Sequence, residues 1–269
     1  MEFYKMHGCG NDFIILENPE NEDLSKLAIK LCDRRTGIGA DGLIIVKPNP
    51  LEMIFYNQDG SKASMCGNGI RCFARYVYEK NIVKKMKFDV LTGAGKIGVE
   101  ITSTNPFFAK ISMGKPNYQN QMIHVSDRIE SFGRIITVGK YHLTIYSFFL
   151  GTIHTVVFVD SLDAEVLNVA SDICHHSLFR AQTNVNFVHI LSQNSLEVKT
   201  YERGVGWTLA CGTGACSSAL CAHRLGLVGK EVKVHLPLGE LLITIDKKEN
   251  VFLEGPVVEC YIGNTRECL

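Results

Sequence analysis

Five residues recur along this chain at a single offset. Tyr56, Cys66, Gly67, Gly69 and Ala74 return as Tyr201, Cys211, Gly212, Gly214 and Ala219, each 145 positions later. One Cys-Gly-x-Gly match would carry little weight. Five identities in register, each set joining a strand that ends near a tyrosine to a glycine turn and a helix, point to a duplicated half. Such a chain is expected to fold as two like units, with the polar, proline-bearing stretch 114–121 marking a boundary. The expected division gives 1–115, with the C-terminal tail 257–269, to the half carrying Cys66. The other half, 116–256, carries Cys211.

Short apolar runs separated by glycine and asparagine turns dominate both halves. They fall at 13–16, 43–46, 53–56, 88–91, 97–101, 107–113, 135–138, 143–145, 155–159, 185–190, 196–201, 232–236 and 241–245. That spacing predicts short, mostly antiparallel strands. Four helices interrupt them. The first follows Asp23, with Leu24, Leu27, Ala28, Leu31 and Cys32 on one stripe, and the second begins near Asn68, with Ile70, Phe73, Ala74, Val77 and Tyr78 at helical spacing. A third is predicted near Ser161 as N-cap. The fourth begins near Thr213 and is rich in small residues, which suits packing inside a sheet.

Composition narrows the function classes. Of 269 residues, 46% are hydrophobic and 21% charged, which excludes disorder. Lys plus Arg equals Asp plus Glu at 28 each, so no net field selects nucleic acid or an anionic membrane as partner. The opening MEFYKMHGCGNDF puts charge and glycine where a signal peptide needs an apolar run, and no apolar run reaches membrane-spanning length. A cytoplasmic protein is therefore expected. Ten cysteines occur without a CxxC pair, which argues against both a zinc site and a thiol-disulfide oxidoreductase. Most read as small buried hydrophobes. The sequence 37–42 fits GxGxxG formally, but a helix precedes it and a strand follows, the reverse of a dinucleotide site. A loop needing positive φ is the better reading.

The duplicated motif carries the chemistry. Cys66 and Cys211 each stand just before a helix, with glycine following so that backbone can approach a ligand. Unpaired N–H groups at a helix start bind anions, carboxylates included, and favour thiolate over thiol. Two such devices suit inversion of an amino-acid α-carbon, which needs a base on one face and an acid on the other. Removing the α-proton pushes charge onto the carboxylate, where the helix starts would stabilise it. Neither a pyridoxal lysine nor a phosphate-binding GxxxxGK[ST] loop is needed, so no cofactor and no metal are expected.

At these residues the chain resembles the diaminopimelate epimerase family. The matching segments are KMHGCGNDF (5–13), RRTGIGADGLI (34–44), FYNQDGSKASMCGNGIRCFARY (55–76), TNVNF (183–187) and YERGVGWTLACGTGACSSA (201–219). The resemblance implies an α+β fold of two pseudo-symmetric halves, each a β-barrel-like, mostly antiparallel sheet around a central helix. It implies cofactor-independent interconversion of LL- and meso-diaminopimelate, on the route to lysine and peptidoglycan precursors, in a cytoplasmic homodimer. Cys66 and Cys211 are then the acid/base pair, with His154 and Glu202 positioning or tuning the reacting end. Gly67, Asn68, Gly212 and Thr213 would bind the reacting carboxylate. Asn57, Asn184 and Arg203 would hold the distal end, Asn11 would line the pocket, and Tyr261 would contact a second subunit. Where the family commonly has Asn-Pro before the histidine, this chain has Thr152-Ile153, and His176–Gln182 lacks the prolines usual before TNV. The first change is expected to loosen reading of the distal end and to admit slow racemisation of glutamate. The alternative is a related two-cysteine racemase of another amino acid.

Overall fold

The computed structural model describes residues 1–17, 19, 23–119, 123 and 132–265. Cys268, positions 120–121 of the boundary stretch and 266–269 of the tail lie outside the described residues. The chain divides into two units, Met1–Ser112 with Glu254–Leu269, and Met113–Leu253.

The first unit runs β1 (Glu2–Gly8), β2 (Asn11–Glu17), α1 (Leu24–Cys32), β3 (Gly42–Lys47), β4 (Glu52–Asn57), β5 (Lys62–Ala63), α2 (Gly67–Glu79), β6 (Lys87–Thr92), β7 (Gly95–Thr104) and β8 (Phe107–Gly114), whose end crosses into the second. The second holds β9 (Phe132–Val138), β10 (Tyr141–Leu150), β11 (Thr152–Phe158), α3 (Ala170–Cys174), β12 (Asn184–Ser192), β13 (Ser195–Glu202), β14 (Gly206–Thr208), α4 (Gly212–Arg224), β15 (Glu231–Leu236) and β16 (Gly239–Ile245). From there β17 (Val251–Pro256) leads back, and β18 (Val258–Asn264) lies in the first unit.

Strand pairing repeats between the units. In the first, β1 pairs antiparallel with β2, β2 parallel with β3, β3 antiparallel with β4, β4 antiparallel with β5 and parallel with β6, and β6 antiparallel with β7. The second gives the same series for β10, β11, β12, β13, β14, β15 and β16. The bounds of α2, 67 and 79, shifted by 145, are 212 and 224, the bounds of α4. Each unit is thus a mostly antiparallel sheet, open rather than closed into a barrel, wrapped on one principal helix. In α2 the residues Ile70, Phe73, Ala74 and Val77 are buried against β1 to β4. In α4 every residue from Gly214 to Ala222 is buried, which its small side chains permit. At about 1.5–3 kcal/mol for each large apolar side chain removed from water, these faces fix where the helices start.

Three expectations need adjustment. No helix begins at Ser161: its hydroxyl accepts from the Asp163 amide at 3.1 Å, a local turn, and a 3-10 turn at Glu165–Val169 precedes the short α3. Strands β1, β17 and β18 were not expected from apolar runs. Thr152 and Ile153 open β11 in register with Leu150 and Phe149 of β10, and Ile153 is buried in the core of its unit. That change therefore does not loosen a loop.

Candidate active site

In the first unit Cys66 is the N-cap of α2. Its backbone is extended, at φ −134° and ψ 121°, and its sulfur accepts from the Gly69 amide at 3.4 Å. That bond takes one of the four N–H groups a helix start leaves without intrahelical acceptors. Asn11, on β2, sets its Oδ1 3.7 Å from the Cys66 sulfur and accepts from Asn68 Nδ2 at 3.1 Å. The orientation of its amide is decided by Asp41, a carboxylate that can only accept, which takes Asn11 Nδ2 at 2.6 Å. Behind them lies a charged knot. Asp41 and Asp12 accept each other's backbone amides at 3.1 Å, Arg34 bridges both carboxylates, and Lys5 reaches Asp12 at 2.6 Å. Burial alone would raise the Asp12 carboxyl, but hydrogen bonds from Arg34 and Lys5 and their charges outweigh it and hold it at about 2. Asn11, Cys66, Gly67 and Asn68 are therefore brought together. Asn57 is placed at the end of β4, where its amide donates to Ser61 Oγ at 2.9 Å.

The second unit repeats the device. Cys211 caps α4 with extended backbone at φ −114° and ψ 108°, and its sulfur accepts from the Gly214 amide at 3.3 Å. Thr213 Oγ1 lies 3.4 Å from that sulfur. Asn184 and Arg203 meet, through the Arg203 backbone: its amide donates to Asn184 Oδ1 at 2.9 Å, and Asn184 Nδ2 donates to the Ile153 carbonyl at 3.1 Å. The Arg203 guanidinium donates to the Ala181 carbonyl at 2.7 Å. Glu202, at the end of β13, accepts from Thr208 Oγ1 at 2.6 Å.

His154 is fully buried on β11, opposite Asn184. Its Nδ1 lies 3.1 Å from Asn186 Nδ2, while its Nε2 has no partner among the described residues. Burial pushes the ring down to about 3, with the Arg203 charge assisting. Sequence reasoning missed Asp41, Asn186 and Thr200. The first two lie within matched motifs, but a single polar letter beside more prominent ones gave no separate signal. Among the described residues no group of three His, Cys, Asp or Glu side chains could hold a metal ion. Gly42 is glycine for space: a Cβ there would lie 2.4 Å from the Phe55 ring. In the 37–42 loop Gly39 has φ +82°, as a turn requires.

Two halves with a thiol capping the same helix in each can be compared with known proteins. Residues 3–119 and 146–260 match the family described as diaminopimelate epimerase. The chain belongs to that family. It is 46% identical to the diaminopimelate epimerase of Clostridium perfringens (strain 13 / Type A), over 91% of this chain and 93% of that protein. It is 42% identical to that of Caldanaerobacter subterraneus subsp. tengcongensis, over 98% of each. The family is one of isomerases. Among solved structures, the fold is shared with a Bacillus anthracis phenazine biosynthesis protein of the PhzF family, at TM-score 0.69 and 13% identity over 98% of each chain. A probable proline racemase from Agrobacterium radiobacter K84 matches at TM-score 0.68 and 15% identity, over 98% of this chain and 92% of that one. These likenesses show a shared fold.

Proposed function

We propose that this chain interconverts LL- and meso-diaminopimelate without a cofactor, with Cys66 and Cys211 on opposite faces of one α-carbon. The observation that carries the reading is that both thiols cap equivalent helices in a duplicated unit, each with a backbone amide donating to its sulfur. One thiolate takes the α-proton while the opposite thiol gives one, and the roles exchange in the reverse direction. The helix starts at Gly67-Asn68 and Gly212-Thr213 hold the reacting carboxylate, where charge grows in the transition state. His154 and Glu202 position the reacting end, Asn57, Asn184 and Arg203 read the distal end, and Asn11 lines the pocket beside Cys66. The functional halves are 1–115 with 257–269, and 116–256. The product serves lysine and peptidoglycan precursor synthesis in the cytoplasm.

Two companions complete the reading. Tyr261 on β18 is half exposed with its ring edge-on to Phe3 at 6.0 Å, and Val258 and Ile262 on the same strand are exposed; this strand forms the homodimer contact, which sedimentation with Tyr261→Ala checks. Among the described residues no helix is long and apolar enough to cross a membrane.

The test is α-proton exchange in deuterated water, with dialysed protein and no added cofactor. Exchange of diaminopimelate is expected, and strict dependence on pyridoxal phosphate or metal contradicts the proposal. Slow exchange of glutamate now rests on Thr152 alone, because Ile153 is locked in the core. Both glutamate enantiomers in the same assay decide it. Faster exchange of another amino acid than of diaminopimelate would favour the related racemase.

A further inference from the structure

Beneath the first turn of α4 lies a polar cluster that the other unit lacks. His154, Asn186 and Thr155 are fully buried and Thr200 is nearly so. Asn186 Oδ1 accepts from Thr200 Oγ1 at 3.0 Å, and its Nδ2 donates to the Thr155 carbonyl at 3.3 Å and faces His154 Nδ1 at 3.1 Å. The cluster abuts the helix that carries Cys211: a Cβ on Gly214 would stand 2.5 Å from Asn186 Oδ1 and 2.9 Å from Thr200 Oγ1.

The first unit shows what packing alone requires at these places. There Phe13 lies opposite Gly42 as His154 lies opposite Asn184, and Ile44 lies opposite Phe55 as Asn186 lies opposite Thr200. A Cβ on Gly69, the counterpart of Gly214, would meet Ile44 and Phe13. Phe13, Ile44 and Phe55 are all buried, and the Phe13 and Phe55 rings pack edge to face at 5.9 Å. Supporting a capped helix on this sheet therefore needs three apolar side chains. Three buried polar ones cost desolvation and are retained for another reason.

We infer that Asn186 is a positioning residue: it holds His154 as the neutral tautomer with its proton on Nε2, making it a hydrogen-bond donor to an anion at the start of α4. The amide cannot turn over. The Thr155 carbonyl only accepts, so the nitrogen of Asn186 must face it, and the same nitrogen then donates to His154 Nδ1. An Nδ1 that accepts leaves the ring proton on Nε2. That Nε2 is buried and meets no acceptor among the described residues, which costs free energy unless a bound group supplies one. Burial and the nearby Arg203 charge both oppose protonation of the ring. Of the groups on an amino acid, an ammonium offers only donors, so the acceptor is a carboxylate oxygen. His154 is then no base for the α-proton, and proton transfer is left to the thiols. What the donor binds rests on the epimerase reading; the tautomer does not.

The test is long-range proton–nitrogen correlation on histidine-labelled full-length protein at pH 7, with His154→Gln assigning the resonance. Wild type should show a neutral ring protonated on Nε2, and saturating diaminopimelate should shift that N–H. A proton on Nδ1, or an imidazolium, overturns the inference; an N–H unmoved by ligand overturns the donor role. Asn186→Asp puts an acceptor against Nδ1. It should move the proton to Nδ1, bring the ring into the titrating range and lower kcat roughly tenfold or more. An unchanged spectrum and kcat in a folded Asn186→Asp protein would also overturn it. If that variant does not fold, the wild-type spectrum decides alone. It is read without turnover, so it stands or fails separately from the exchange assay.

Discussion

The two helix starts differ by what lies under their third residue. At Gly69 an added methyl would meet the Ile44 Cδ1 atom at 3.2 Å, the end of a side chain that can turn aside. At Gly214 it would meet Asn186 Oδ1 at 2.5 Å, inside a hydrogen-bonded cluster that cannot yield without losing bonds. Gly214→Ala is therefore expected to destabilise by about 1–3 kcal/mol, the usual cost of overpacking, and Gly69→Ala by less. Thermal unfolding of both checks this; equal losses would contradict it. At this scale the sequence revealed the thiols because they came twice, in one spacing. It did not reveal that Asn186, held by Thr200, faces His154, because three polar letters on three strands share no period. The burial of His154 could be read from the apolar run around it, whereas its unpaired nitrogen needed the fold.

Elements fold around a charged knot at the β1–β2 hairpin. Lys5 is buried, which apolar patterning does not predict, and it survives there because Asp12 neutralises it. That lysine breaks the apolar run of β1, and this is why the strand was not legible. β18 escaped for another reason: it is largely exposed on both faces, so no alternation marks it. Most strands of both cores, by contrast, were legible from alternation and glycine turns, β17 excepted. The third helix misled because Ser161 offers a good cap, yet its hydroxyl closes a turn four residues before the first helical residue. The knot also sets a pH dependence. The Asp12 carboxyl is held at about 2 when folded, below its ordinary 3.8. Its contribution to stability is complete above about pH 4 and is lost as pH falls through about 2. Asp12→Asn should flatten the fall in urea midpoint between pH 5 and pH 2.5. A variant with the wild-type slope would show that the ion pairs contribute nothing over that range.

At the scale of the whole molecule, duplication is the organising fact. It was legible in five residues because both helix starts keep the Cys-Gly-x-Gly spacing at one offset. The extent of the repeat was not, since strand pairings carry over while the side chains on them do not: Phe13, Ile44 and Phe55 stand where His154, Asn186 and Thr200 stand. Two starts built alike suit the proposed reaction, whose two directions are near mirror images, and the polar floor under one of them sets a single histidine beside it. The central claim is that both thiols move protons at one carbon. It is tested most directly by diaminopimelate epimerisation, followed with deuterium incorporation, in Cys66→Ala and Cys211→Ala. Each variant should keep the wild-type circular dichroism and lose turnover by about 100-fold or more. Near wild-type turnover in either one would remove that thiol from the mechanism and contradict the account.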